Sequence, residues 1–209
     1  MKMTQKVALA TAVSAIFASS MAFAAPSEAP DAFIKRISDQ MLAQLNQNKG
    51  QLSNPAVINR LVSQNVQPYV DEQGFTRLVL GQYATSQYTT AAQRAQFTTN
   101  FRDSIVRTYS RGISQYSSEG YTLRPYRNTN AQYPVVVMDF RTGGGNRIPI
   151  AFQLTDINNQ WKIRNINVSG IDLALTFRDQ FRNTVQQNGG DVGKAIASFK
   201  PNADVVKKK

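Results

Sequence analysis

Four short stretches between Tyr121 and Gly170 restrict the fold more than anything else in the chain: YTLRPYR, YPVVVMDFRT, RIPIAFQLTDI and QWKIRNINVSG. In the third the alternation is regular. Ile148, Ile150, Phe152 and Leu154 point one way, and Pro149, Ala151, Gln153 and Thr155 the other, the period of a strand with one apolar face. The links are short: GGGN at 143–146 reads as a turn and TDINNQW as a hairpin. A glycine run can cradle phosphate, but only ahead of a helix N-terminus, and here a strand follows. Strands joined so closely pair antiparallel, because a parallel crossover needs a dozen or more residues. In the last run Trp161 and Ile163 share one parity, while Ile166 and Val168 fall on the other. A bulge near Asn165 would reconcile them and bend the sheet.

Helical periodicity flanks this block. Phe33, Ile37, Met41, Leu42 and Leu45 recur at helical spacing before Gly50. Asn54 and Pro55 have the order of an N-cap and a first helical residue, and Pro68 ends that segment. GFTRLVLGQY (74–83) is short and apolar and is read as helix. The longest helix is expected from Ala91 to about Tyr116, with Thr90 and Gln93 spaced as a capping box. Its stripe is Phe97, Phe101, Ile105, Tyr109 and Ile113, with Arg94, Arg102, Arg107 and Arg111 off it. Such a stripe is either ordinary core or one wall of a cavity. After the strands, Asp172 is placed as an N-cap and Leu173, Phe177, Phe181 and Val185 form a stripe ended by Gly189 and Gly190. DVGKAIASFK is a short last helix. The fold class is therefore α+β: a bent antiparallel sheet of about four strands flanked by helices. The wedge between them is either filled or left open for a ligand.

Residues 1–24 read as a signal peptide: Lys2 and Lys6, an apolar run, then Ala22-Phe23-Ala24 as the cleavage site. Residues 25–209 are then one exported domain, expected in the bacterial periplasm. No later stretch is long and apolar enough to span a bilayer, and no cysteine follows the cleavage site to carry a lipid anchor. The chain has no cysteine at all, so burial alone holds the core. It has no histidine either, which removes Ser-His and Cys-His nucleophile schemes and most zinc sites. The net charge is +11, and losing Lys2 and Lys6 leaves the chain strongly basic. Such a charge suits solubility, or anionic lipid headgroups, acidic proteins or nucleic acid. Tyr109, Tyr116, Tyr121, Tyr126 and Tyr133 among arginines could stack bases, but export argues against nucleic acid.

Catalytic groups are sparse. Asp139, inside the apolar run VVVMDF, is the most interesting carboxylate and a candidate acid or base if buried, and it shares a parity with Arg141, with which it can pair in water. Asp71 and Glu72 read as solvated loop residues. The expected mature chain has neither S-x-x-K nor G-x-S-x-G. The reading is a non-enzyme.

The succession NPAVINRLVSQNVQPYV, RLVLGQY, TAAQRAQFTTNFRDSIVRTYSRGISQY and a lone Trp161 before GIDLALTFRDQF resembles a known family. It is the phospholipid-binding MlaC, or toluene-tolerance auxiliary, family of the Mla lipid-asymmetry system. The likeness runs from about Asp31 to Phe199. It implies a single α+β domain with a twisted sheet and helices around a deep apolar pocket, which takes a phospholipid's acyl chains and leaves the headgroup near solvent. It also implies a monomeric periplasmic shuttle with phospholipid as cargo and no other cofactor. The partners implied are an outer-membrane lipoprotein–porin complex and an inner-membrane ABC transporter with its membrane-anchored substrate-binding subunit, and nucleic acid is not among them. Pro68, Tyr69 and Val70 match the family's turn. Leu78, Val79, Leu80, Gly81 and Tyr83 match its apolar segment, and Gln93, Arg94, Phe97 and Phe101 its long helix. Trp161 and Gly170, then Arg178 and Phe181, match its last strand and the helix after it. Asn165, Ser169 and Asp172 depart from the family pattern.

Together these readings give an expected site. Ile148, Ile150, Phe152 and Leu154 form one wall of the pocket. Val135 and Val137, or Val136 and Met138, extend it, the parity being open. Phe97, Phe101, Ile105 and Tyr109 face that wall, Leu80, Tyr83, Trp161 and Ile163 complete the lining, and Arg94, Arg141 and Arg147 are candidates for the headgroup phosphate. Two other classes stay open: a basic adaptor with a solid core, and a carboxylate enzyme built on Asp139.

Overall fold

The computed structural model of the protein describes residues 26–116, 120–127, 130–141 and 145–202, without the side chains of 108–116. The expected signal segment, the first two residues of the GGGN turn and the side chains of Tyr109, Arg111, Ile113 and Tyr116 lie outside the described residues. Six α-helices are described: α1 (Pro30–Gln47), α2 (Pro55–Asn65), α3 (Glu72–Leu80), α4 (Ala91–Tyr116), α5 (Leu173–Gln187) and α6 (Val192–Ser198). Between α4 and α5 lie β1 (Tyr121–Leu123), β2 (Val135–Arg141), β3 (Arg147–Ile157), β4 (Gln160–Val168) and β5 (Ile171–Asp172).

Except for α1, which opens after Ala29 with no side-chain cap, the helices start where side chains can satisfy their free N–H groups. The Ala56 N–H donates to the Asn54 side chain at 3.0 Å. Thr90 and Gln93 cap one another reciprocally, at 2.8 and 3.1 Å. Asp172 accepts from the Leu175 N–H at 2.9 Å. Asp71 corrects the sequence reading. It is buried rather than solvated, and it caps α3 by accepting from the Gly74 N–H at 2.8 Å.

The strands pair in sequence order, all antiparallel. There are five rather than about four: after the Ser169–Gly170 turn, where both residues have positive φ, Ile171 and Asp172 fold back on β4. The β3–β4 hairpin turns on Asn158 and Asn159, also both at positive φ. The bulge lies next to its expected place. Gln153 faces Asn165 and Leu154 faces Ile163, which leaves Arg164 as the extra residue. Ile163 and Ile166 thereby share one face.

That face is covered in two parts. Phe33, Ile34 and Ile37 of α1 pack on Val136, Met138, Leu154 and Ile163. The second core is helical and aromatic. Phe97 and Phe101 stack with their ring centroids 5.5 Å apart, and Phe97 meets the edge of Phe181 at 5.1 Å. Phe101 meets Phe177 at 5.3 Å, and Phe199 closes over the group. Ile166 and Val168 of β4 border this second core. The arrangement differs from the expectation that the α4 stripe faces β3. The ring neighbours of Phe97 and Phe101 come from α3, α5 and the segment after α6, while α1 lies against β2, and α3 and α5 against β4.

Candidate functional site

The middle strand of a five-stranded sheet is where burial should be greatest. In β3 it is not. Only Leu154 and Thr155 are buried, and Ile148, Ile150 and Phe152 are half-buried although both neighbouring strands are in place. The register assembles a strip around them. Phe140 lies opposite Ile148, Met138 opposite Ile150, and Val136 opposite Phe152, while on the other side Ile150 faces Val168 and Phe152 faces Ile166. The strip runs from the α1 core, against which Phe140, Ile150 and Phe152 pack, to the helical core bordered by Ile166 and Val168. Apolar side chains left partly open between two closed cores form a surface with capacity for an apolar ligand.

The β2 parity is settled by this pairing. Val136 and Met138 are 0% and 2% exposed, whereas Val135, at 37%, and Val137 project from the other face. Phe140, Ile166 and Val168 were missed from the sequence. Phe140 continues the parity of Val136 and Met138, and the bulge brings the two β4 residues round. Leu80, Phe97 and Phe101 are buried in the helical core, with Tyr83 and Ile105 packed against it. Leu154 and Ile163 lie in the α1 core. Trp161 packs beside them, its Nε1–H donating to the Glu28 carbonyl at 2.7 Å. The side chain of Tyr109 lies outside the described residues.

None of the three headgroup candidates stands beside the strip as a free cation. Arg94 folds back to donate to the Thr89 carbonyl at 2.6 Å. Arg141 and Arg147 oppose one another across β2 and β3 on the face away from the strip, and Arg141 donates to Thr122 at 3.2 Å. The same face carries Asp139. Its partner is Arg124, not Arg141: the two meet side-on at 2.6 and 3.0 Å. The Arg124 hydrogen bonds hold the Asp139 carboxyl below the usual carboxylate range, the reverse of what a general acid at neutral pH needs. Among the described residues no group of three or more metal-ligating side chains converges, and no helix is long and apolar enough to cross a membrane.

Two cavities lie away from the strip. One, of about 590 Å³, lies among the start of α3, the end of α2 and the β3–β4 hairpin, with Glu72, Ile157 and Lys162 in its lining. The other, of about 330 Å³, lies between α1 and the β1 edge, beside Leu42, Tyr121 and Leu123.

A sequence profile of the family described as MlaC protein matches residues 35–200. The toluene tolerance protein Ttg2D of Pseudomonas putida is 29% identical over 171 residues, which span 81% of this chain and 79% of that one. The structure of the phospholipid-binding protein from Ralstonia solanacearum, solved in complex with a phospholipid, superposes with a TM-score of 0.70 at 24% identity. The match covers 79% of this chain and 92% of that one. At that identity the likeness establishes the fold.

Proposed function

The chain belongs to the MlaC family, and from that membership we propose that it is a soluble periplasmic phospholipid carrier. On this reading it shuttles lipid between an outer-membrane lipoprotein–porin complex and an inner-membrane ABC transporter, through the transporter's membrane-anchored subunit. It acts by binding rather than by catalysis. The observation that carries the reading is the half-buried centre of the sheet. Ile148, Ile150 and Phe152, with Phe140, Ile166 and Val168 beside them, form the wall against which the acyl chains lie. The Ralstonia relative, named for phospholipid binding and solved with one bound, supports the same reading.

Energetics suit a carrier. Each buried methylene contributes about 0.8 kcal/mol, so two long chains gross well over 20 kcal/mol by rough reckoning. That gross figure is beyond any measured net affinity. The relevant reference is the bilayer, which buries the same chains. A carrier needs only to approach that value, and small differences at each docking site then decide which way a lipid moves. The deep pocket is, on this proposal, the lipid-loaded form of the strip, with the α1 core and the helical core moved apart around it.

Incubation of the purified protein with phospholipid vesicles, followed by extraction and mass spectrometry, tests this. The wild type is expected to carry phospholipid. Phe152→Glu, which puts a charge in the middle of the strip, is expected to fold and carry little. A full load in Phe152→Glu removes the strip from the binding surface, and an adaptor with a solid core carries no lipid in either form.

A further inference from the structure

The surroundings of Arg178 are unusual. The residue follows Phe177 on α5, beside the stripe that builds the helical core, and is only partly exposed. Its stem packs over Gly81 at the end of α3. A Cβ built on Gly81 would lie 3.0 Å from Arg178 Cδ and 3.5 Å from Cγ, and Gly81 has φ +56°. Space and backbone conformation both keep a side chain out of the place where this arginine packs. Its Nε is buried and has no hydrogen-bond partner. Among the described residues no carboxylate pairs with it, and the acid one position on, Asp179, is paired with Arg182 at 3.2 Å.

An exposed arginine without a partner is ordinary. A buried guanidinium nitrogen is not, because an unmet buried donor costs more than the bond it lacks would contribute. Nor can the group relieve this by losing its proton, since arginine stays charged in proteins. An oxyanion can. The planar fork fits the paired oxygens of a phosphate, with Nε–H and a terminal N–H donating in parallel. Position points to the source: α5 packs on β4, and the β4 residues Ile166 and Val168 border both the apolar strip and the helical core.

We propose that Arg178 binds a phosphate group and, resting on the carrier reading, that this is the headgroup phosphate of the bound lipid. Gly81 is the notch that lets the arginine lie across the α3–α5 junction. The same chemistry would take free inorganic phosphate, and the test separates the two.

The full-length purified protein and Arg178→Gln are loaded from vesicles containing phosphatidylglycerol and diacylglycerol with identical chains, and the bound lipids are extracted and compared. The wild type is expected to favour the phospholipid about tenfold or more over its vesicle share. Arg178→Gln is expected to lose that preference while taking up diacylglycerol as before. An unchanged preference in the variant overturns the proposal. If Arg178→Gln does not fold, the Arg178 Nε–H resonance of the wild type decides. A shift on loading phosphatidylglycerol but not diacylglycerol supports the assignment, and a resonance that does not move overturns it. If the wild type takes up neither lipid, the carrier reading fails separately. Titration with inorganic phosphate then decides the anion site: a shifted resonance supports a free-phosphate site, and an unmoved one overturns it.

Discussion

Gly74 shows how much one hydrogen atom can decide. Within a helix, glycine to alanine ordinarily gains up to about 1 kcal/mol. Here a Cβ would lie 1.8 Å from Asp71 Oδ2, the carboxylate that caps α3. Losing the cap costs about 1–2 kcal/mol, and the displaced carboxylate adds to that. Gly74→Ala is therefore expected to destabilise, with a lower urea midpoint, and a variant more stable than wild type would contradict this. Asp39 makes a different case. The Lys35 ammonium, at 2.6 Å, and the Tyr121 hydroxyl, at 2.6 Å, hold its carboxyl below the ordinary range. A lowered folded pKa means that the contribution is complete above the unfolded value of about 3.9 and is lost as pH falls through the folded one. The pair is exposed, so the effect is small. Asp39→Asn should flatten the acid limb of the stability profile below pH of about 4 and leave the slope near neutral pH unchanged, as thermal melts at stepped pH would show.

Among the elements, α4 and β3 divide the work of stability and binding. Phe97 is 1% exposed and stacked among Phe101, Phe181 and Phe199. Phe97→Ala should cost about 3–5 kcal/mol while the folded fraction keeps its lipid load. Chemical denaturation combined with lipid extraction checks both halves, and a load lost without loss of stability would place Phe97 on the binding surface. Signals that act within one element were legible in the sequence: the caps at Asn54, Thr90 and Asp172, and the bulge that the parity change between Ile163 and Ile166 required. The parity of β2 was not. Val135, Val136, Val137 and Met138 are apolar on both faces, and only the pairing of Val136 with Phe152 tells them apart. The partner of α4 was not legible either, because a stripe announces a buried face without saying what buries it. Arg178 matched the family by position, but its unmet Nε depends on the meeting of α3 and α5, which no local pattern records.

At the scale of the whole molecule, two closed cores meet along one open apolar strip. The α1 core seals the sheet near Leu154 and Ile163, the aromatic core locks α4 to α6 together, and the centre of β3 belongs fully to neither. A protein that needed only stability would have closed that seam, since every partly exposed Ile or Phe forgoes burial free energy. The carrier reading gives the seam a use, and it makes lipid content a property of the protein as isolated. Native mass spectrometry of the protein purified from its own cells, without detergent, measures that content. The expected result is a species heavier than the bare polypeptide by the mass of a phospholipid, released as phospholipid on activation. A spectrum of bare chain alone, unchanged after incubation with phospholipid vesicles, would contradict it.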